Sequence, residues 1–154
     1  MGVVIRYLGL VALVALTACT AQQPAPPKFA DIDPCTLLAS GDAGTLTGTS
    51  KGERACDFAF DSLKVRLTLR TEKFADASQR LQSDGGYGAV VNDHPMTRRC
   101  TDASGTVTCE GVVEARDGQL IGLTVVQRSN DPNVVGQTTQ GLAAKALERL
   151  PVTS

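Results

Sequence analysis

The sequence has a single histidine, no surplus of positive charge, and no apolar run near the roughly 20 residues a membrane-spanning helix needs. Each shortage closes a class of function. One histidine, His94, with cysteines that can oxidise, does not supply the three or four protein ligands of the usual zinc site. His94 precedes Pro95 in an expected loop, and no Gly-x-Ser-x-Gly elbow accompanies it, so the sequence shows no nucleophile-and-base pair. With 15 basic and 16 acidic residues the net charge is −1, which offers nothing to nucleic acid. The segment Asp84-Gly85-Gly86-Tyr87-Gly88 lacks the lysine and the following helix of a phosphate-binding loop. Asp57 and Asp61 read as solubilising residues on an exposed strand face rather than as a calcium site. No metal and no cofactor are expected.

What is present starts with an address. Arg6 supplies one positive charge, Leu8 to Leu16 form a short apolar run, and Leu16-Thr17-Ala18-Cys19 closes it with small residues and a thiol. This is the layout of a bacterial lipoprotein signal. Residues 1–18 are expected to be removed, leaving Cys19 as an acylated first residue that anchors the chain to the extracytoplasmic side of the cell membrane. Gly2 is no myristoylation site, because Arg6 stands where that motif requires Ser or Thr. Without Arg6 the chain has 14 basic against 16 acidic side chains.

Five cysteines are an odd number for an exported protein. Acylation of Cys19 restores parity and leaves Cys35, Cys56, Cys100 and Cys109 for two disulfides in an oxidising compartment. Residues 19–30 carry three prolines, all within Pro24-Ala25-Pro26-Pro27, and read as an extended tether of roughly 30 Å, at about 3.1 Å per residue. Residues 31–151 are then one domain.

Asp33-Pro34 is a cap-plus-proline start for a short helix that Gly41 stops, and residues 40–48 amount to one loose turn. Phe58 and Phe60 alternate with polar residues, as do Leu63, Val65, Leu67 and Leu69 after Asp61-Ser62. A two-residue loop pairs Phe58 with Val65 and puts Lys64, Arg66 and Arg70 on the opposite, wet side. Phe74, Ala77, Ser78 and Leu81 recur at helical spacing, predicting a helix over 72–82. Gly85 to Gly88 then form a connector, with Tyr87 as the nearest candidate binding residue.

A two-residue turn at Ser104-Gly105 makes Cys100 oppose Cys109 at a non-hydrogen-bonded site, where α-carbons are close enough to bridge. Cys35 is left for Cys56. Around Asp117-Gly118 the alternation demands that Val113 pair with Ile121 and Gly111 with Leu123, which a three-residue loop with a left-handed Gly118 provides. Asp131-Pro132 repeats the cap signal, and Ala143, Ala146, Leu147 and Leu150 give the stripe of a closing helix.

The expected fold is therefore α+β: a mainly antiparallel sheet of about four to six strands, N-terminal and C-terminal helices packed on its one apolar face, and two disulfides. With the lipid-attachment segment, the Asp33-Pro34-Cys35-Thr36-Leu37-Leu38 opening, Cys56 followed by Phe58, and the Leu142 to Leu147 helix, the chain resembles a family of actinobacterial lipoproteins carrying a domain of unknown function. The resemblance implies an envelope location and carries over no catalytic residue. The expected function is a non-enzymatic binding module for a lipid, glycan or protein partner, held to the membrane through Cys19. The alternative is an envelope enzyme, or an enzyme inhibitor, whose site is not visible as a motif.

Overall fold

The computed structural model describes residues 25–151. The expected signal segment and Cys19 lie outside the described residues. No described helix is long and apolar enough to cross a membrane.

Seven strands form one antiparallel sheet: β1 (Leu46–Gly52), β2 (Ala55–Phe60), β3 (Leu63–Thr71), β4 (Tyr87–Val91), β5 (His94–Ala103), β6 (Thr106–Arg116) and β7 (Gln119–Arg128). Their order across the sheet is β1-β2-β3-β7-β6-β5-β4. Two meanders, β1 to β3 and β4 to β7, are thus joined along β3 and β7. The helix α1 (Phe74–Ser83) carries the chain from the middle of the sheet to its far edge, and α2 (Pro132–Arg149) closes it. The sheet has seven strands where four to six were expected, because β1 and β4 are edge strands without apolar alternation.

The hairpins follow the pleat. Phe58 pairs with Val65, and Val113 with Ile121 and Gly111 with Leu123. The extra residue of that last hairpin is taken up differently from the expectation. Arg116 pairs with Gln119 across a tight Asp117-Gly118 turn, and a bulge at Ala115 makes the shift. Ser104 and Gly105 both have left-handed backbone (φ 53° and 74°), as a mirror-image two-residue turn requires. That turn sets Cys100 opposite Cys109, 4.0 Å apart at Cα, and a disulfide joins them. A second disulfide joins Cys35 to Cys56.

The inner face of the sheet carries the main core: Phe58, Val65, Leu67, Val107, Val113, Ile121, Leu123 and Val125. The helix α2 covers one half of it with Val135, Leu142, Ala143 and Ala146. Its start is capped as the sequence indicated, by Asp131 accepting from the Asn133 N–H at 2.9 Å. The N-terminal segment covers the other half, inserting Phe29, Ile32, Leu37 and Leu38. Phe29 falls in the expected tether yet is buried, in a single 3-10 turn, with the Arg54 guanidinium 5.1 Å over its ring and donating to its carbonyl at 3.0 Å. The expected first helix is likewise only a 3-10 turn, Pro34–Thr36, capped by Asp33. The turn ends at Leu37, and both Leu37 and Leu38 are buried in the core beside the Cys35–Cys56 bridge.

The sheet does not have one apolar face only: α1 lies on the outer face, where Ala77 is buried with Val112 and Leu120 beside partly buried Phe74 and Leu81. Ser78 on the same helix bonds Thr97 Oγ1 at 2.7 Å in a buried contact. The helix touches β5 and β6 and leaves the outer face of β1, β2, β3 and half of β7 uncovered.

Candidate functional site

The uncovered part of the outer face is a shallow trough of about 490 Å³. Its floor is a row of residues set side by side by the strand register: Gly48 on β1, Ala59 on β2, Lys64 on β3 and Val126 on β7. The adjoining row is charged in alternation. Asp57 is held by Arg66 at 3.1 Å, Thr124 follows, and Glu110 accepts from Arg99 at 2.6 Å, with Asp84 at 3.1 Å on the other side of Arg99. Val126 is more than a third exposed, and it is the large apolar side chain on this floor.

A second depression, about 340 Å³, continues past the strand ends and shares Lys64 and Val126 with the first, with Arg128 on its rim. Lys64 and Arg128 form no ion pair among the described residues, in contrast to Arg66, Arg70 and Arg99 nearby. Asp61 borders this end, but its carboxylate is laid against the Gly44 backbone, where no side chain fits.

On the α1 side the trough meets a small polar pocket of about 130 Å³ between that helix and the sheet. Gly122 makes room for it: a Cβ there would lie 2.5 Å from Thr68 Oγ1. Glu72 closes one wall by pairing with both Arg70 and Arg80. Burial pushes the Glu72 carboxyl up, but the two guanidiniums outweigh it and hold the group below its ordinary value.

The residues singled out from sequence are scattered relative to this trough. Lys64 and Arg66 line it, and Asp57 sits at its margin as an ion-pair partner. Tyr87 is not in a loop; it opens β4, half-exposed, at the opposite edge and towards the inner face, with the Arg98 guanidinium 5.0 Å from its ring. His94 is the first residue of β5 rather than a loop residue, and its Nδ1 meets the Glu114 carbonyl at 2.8 Å. Ser104 is a turn residue remote from His94 in the sheet. Among the described residues no three His, Cys, Asp or Glu side chains gather in a metal-binding group. Sequence reasoning missed Val126 and Arg128, which reach Lys64 only through the pairing of β3 with the distant β7, and Gly48, which lies on the unread strand β1 beside Ala59.

Comparison with protein-family models, curated proteins and solved structures finds no match for this chain. The functional reading therefore rests on the residues themselves.

Proposed function

We propose that the protein is a cell-envelope lipoprotein, anchored through an acylated Cys19, whose domain is a non-enzymatic binding module. Its ligand is an amphiphile with an anionic group. The observation that carries this reading is the pairing of an apolar floor, exposed Val126 beside half-buried Ala59, with two cations, Lys64 and Arg128, that no carboxylate neutralises among the described residues. A partner's apolar part laid on that floor removes Val126 from water, and its anion meets the cations at the strand ends. Tethering beside a bilayer places the domain where such molecules are concentrated.

The test uses a dansyl-labelled fatty acid as probe and reads its emission on capture. Lys64 and Val126 are exposed, so Lys64→Glu and Val126→Asp should leave the circular dichroism unchanged and weaken capture about ten-fold or more. Equal capture by wild type and both variants would refute the trough as the site. Turnover of an envelope ester or amide that is abolished by His94→Ala would replace the binding module with an enzyme. The anchor is tested in the same strains: Cys19→Ala should abolish acylation and leave the protein unprocessed, and identical membrane-bound masses would sink that part of the reading.

A further inference from the structure

The two edges of the sheet are finished differently. The strand β1 has a bulge between Leu46 and Gly48, carries Lys51, and is otherwise hydroxylic, the devices that discourage an edge from pairing. The strand β4 reads Tyr-Gly-Ala-Val-Val, with no charge, no proline and no bulge, and among the described residues nothing pairs with its outer side. The uncharged surface continues onto the neighbouring helix, where residues 132–144 of α2 contain no ionisable side chain.

The hairpin geometry says which groups that edge offers. Asn92 and Asp93 both have positive φ, 47° and 65°, and form a two-residue turn that pairs Val91 with His94. In such a hairpin Val91, Ala89 and Tyr87 direct their main-chain hydrogen bonds to β5, so Gly88 and Val90 direct theirs outward. Gln140 Nε2 already donates to the Val90 carbonyl at 3.0 Å, and a carbonyl has a second lone pair. The outward pattern is symmetric about Ala89: Gly88 of one copy can exchange both bonds with Val90 of another, and Val90 with Gly88.

We infer that a second copy of this chain pairs with β4 in antiparallel fashion, about a two-fold axis through Ala89, to make one continuous sheet. The side chains fit that register. It sets Tyr87 of one copy opposite Val91 of the other, on the inner side of the sheet where α2 overhangs. There the structure has a depression of about 340 Å³ lined by Val91, Gln140, Gly141 and Ala144. Tyr87 is the half-exposed aromatic of that edge, held ready by Arg98, and it fills its partner's depression while its partner's Tyr87 fills the first. The same patch serves on both copies, as a two-fold interface requires. A five-residue strand pair needs more contact to reach the about 1,200–2,000 Å² of a stable interface, and the Tyr87 plugs with the uncharged outer face of α2 supply it. The trough lies towards β1 and stays open in the dimer, so this inference and the binding reading stand or fall separately.

The axis residue gives the test, in the full chain and in the oxidising envelope. Only at the two-fold does one cysteine meet its own copy across a strand pair, so Ala89→Cys should yield a reducible two-chain species as the main product on a non-reducing gel. Thr49→Cys on β1 should yield none. Adding Val90→Lys to Ala89→Cys should abolish the cross-link, and Tyr87→Ala should reduce it several-fold. A monomeric Ala89→Cys, or equal cross-linking from Thr49→Cys, overturns the inference. If Ala89→Cys does not accumulate, the mass of the wild-type chain extracted in detergent decides: two chains support the pairing, and one chain overturns it.

Discussion

The two faces of the sheet are built from alternate residues of the same strands, yet they are used differently. On the inner face the odd-numbered residues 63–69 of β3, 107–115 of β6 and 121–125 of β7 are apolar and buried, under α2 on one half and the N-terminal segment on the other. On the outer face only the patch at Val112 of β6 and Leu120 of β7 is apolar and covered, by α1, while the β1, β2 and β3 side carries small, hydroxylic and charged residues. Coverage thus tracks the apolar patches rather than whole strands. Where the floor stays half apolar with no helix over it, at Ala59 and Val126, the molecule keeps a surface that folding has no use for.

The sharpest way to break this comparison is to truncate one residue on each face of the same strand. Leu67 is fully buried on the inner face of β3, and Leu67→Ala should cost about 3–5 kcal/mol in denaturant unfolding, from lost transfer energy plus the cavity left behind. Lys64, three residues earlier and on the outer face, should change stability by no more than about 0.5 kcal/mol when replaced by Ala. Equal effects at the two positions would mean that the outer face is covered in solution after all.

Both disulfides belong to the inner face, and they differ in the length of chain they close. Cys35–Cys56 spans 21 residues and ties the N-terminal cover to β2, whereas Cys100–Cys109 spans 9 within one hairpin. In the loop-entropy account, removal of the first pair should cost about 3.3 kcal/mol and of the second about 2.6 kcal/mol. The first should cost more than entropy alone, because losing it also frees the segment that buries Leu37 and Leu38. Double Cys→Ser variants compared by urea unfolding measure the order, and a larger loss from the hairpin pair would reverse this account.

The inner face was largely legible in the sequence because two independent constraints agree there. Alternation fixed the register of β2 with β3 and of β6 with β7, and the cysteine count fixed that of β5 with β6. The edges were not legible. The strand β1, Leu-Thr-Gly-Thr-Ser-Lys-Gly, buries almost nothing, so no period marks it, and β4 begins in a glycine-rich stretch that reads as a connector. Periodicity along 74–81 reports an apolar stripe but not which side of a sheet it will meet, so the second apolar patch under α1 was not anticipated. The trough was hidden for a related reason: the β2–β3 hairpin sets Ala59 beside Lys64, but Val126 joins them only through the pairing of β3 with the distant β7, and Gly48 only through the unread strand β1.

The covers of the two faces are each clasped by a carboxylate, and pH separates them. On the inner face Asp42 takes both terminal nitrogens of Arg149, which also donates to the Leu37 carbonyl at 3.1 Å, so the end of α2 is fastened to the N-terminal segment. Burial pushes the Asp42 carboxyl up, but the hydrogen bonds from Arg149 and from the Ala39 N–H prevail and hold it below its ordinary value of 3.8. On the outer face Glu72, between Arg70 and Arg80, is likewise held below 4.5. A carboxylate depressed on folding stabilises the native state above its unfolded value, and that contribution is lost as pH falls through the folded value. Stability should therefore decline below about pH 4, and the decline should be shallower in Asp42→Asn, which has already lost about 1–3 kcal/mol at neutral pH with the partner of a charged group gone. Glu72→Gln should flatten the acid limb less, since its side chain is 25% exposed against 6% for Asp42 and solvent screens its pairs. Acid titrations of the two variants followed by circular dichroism rank the clasps, and a steeper acid limb in Asp42→Asn than in Glu72→Gln would show that the inner cover is held by its apolar contacts alone.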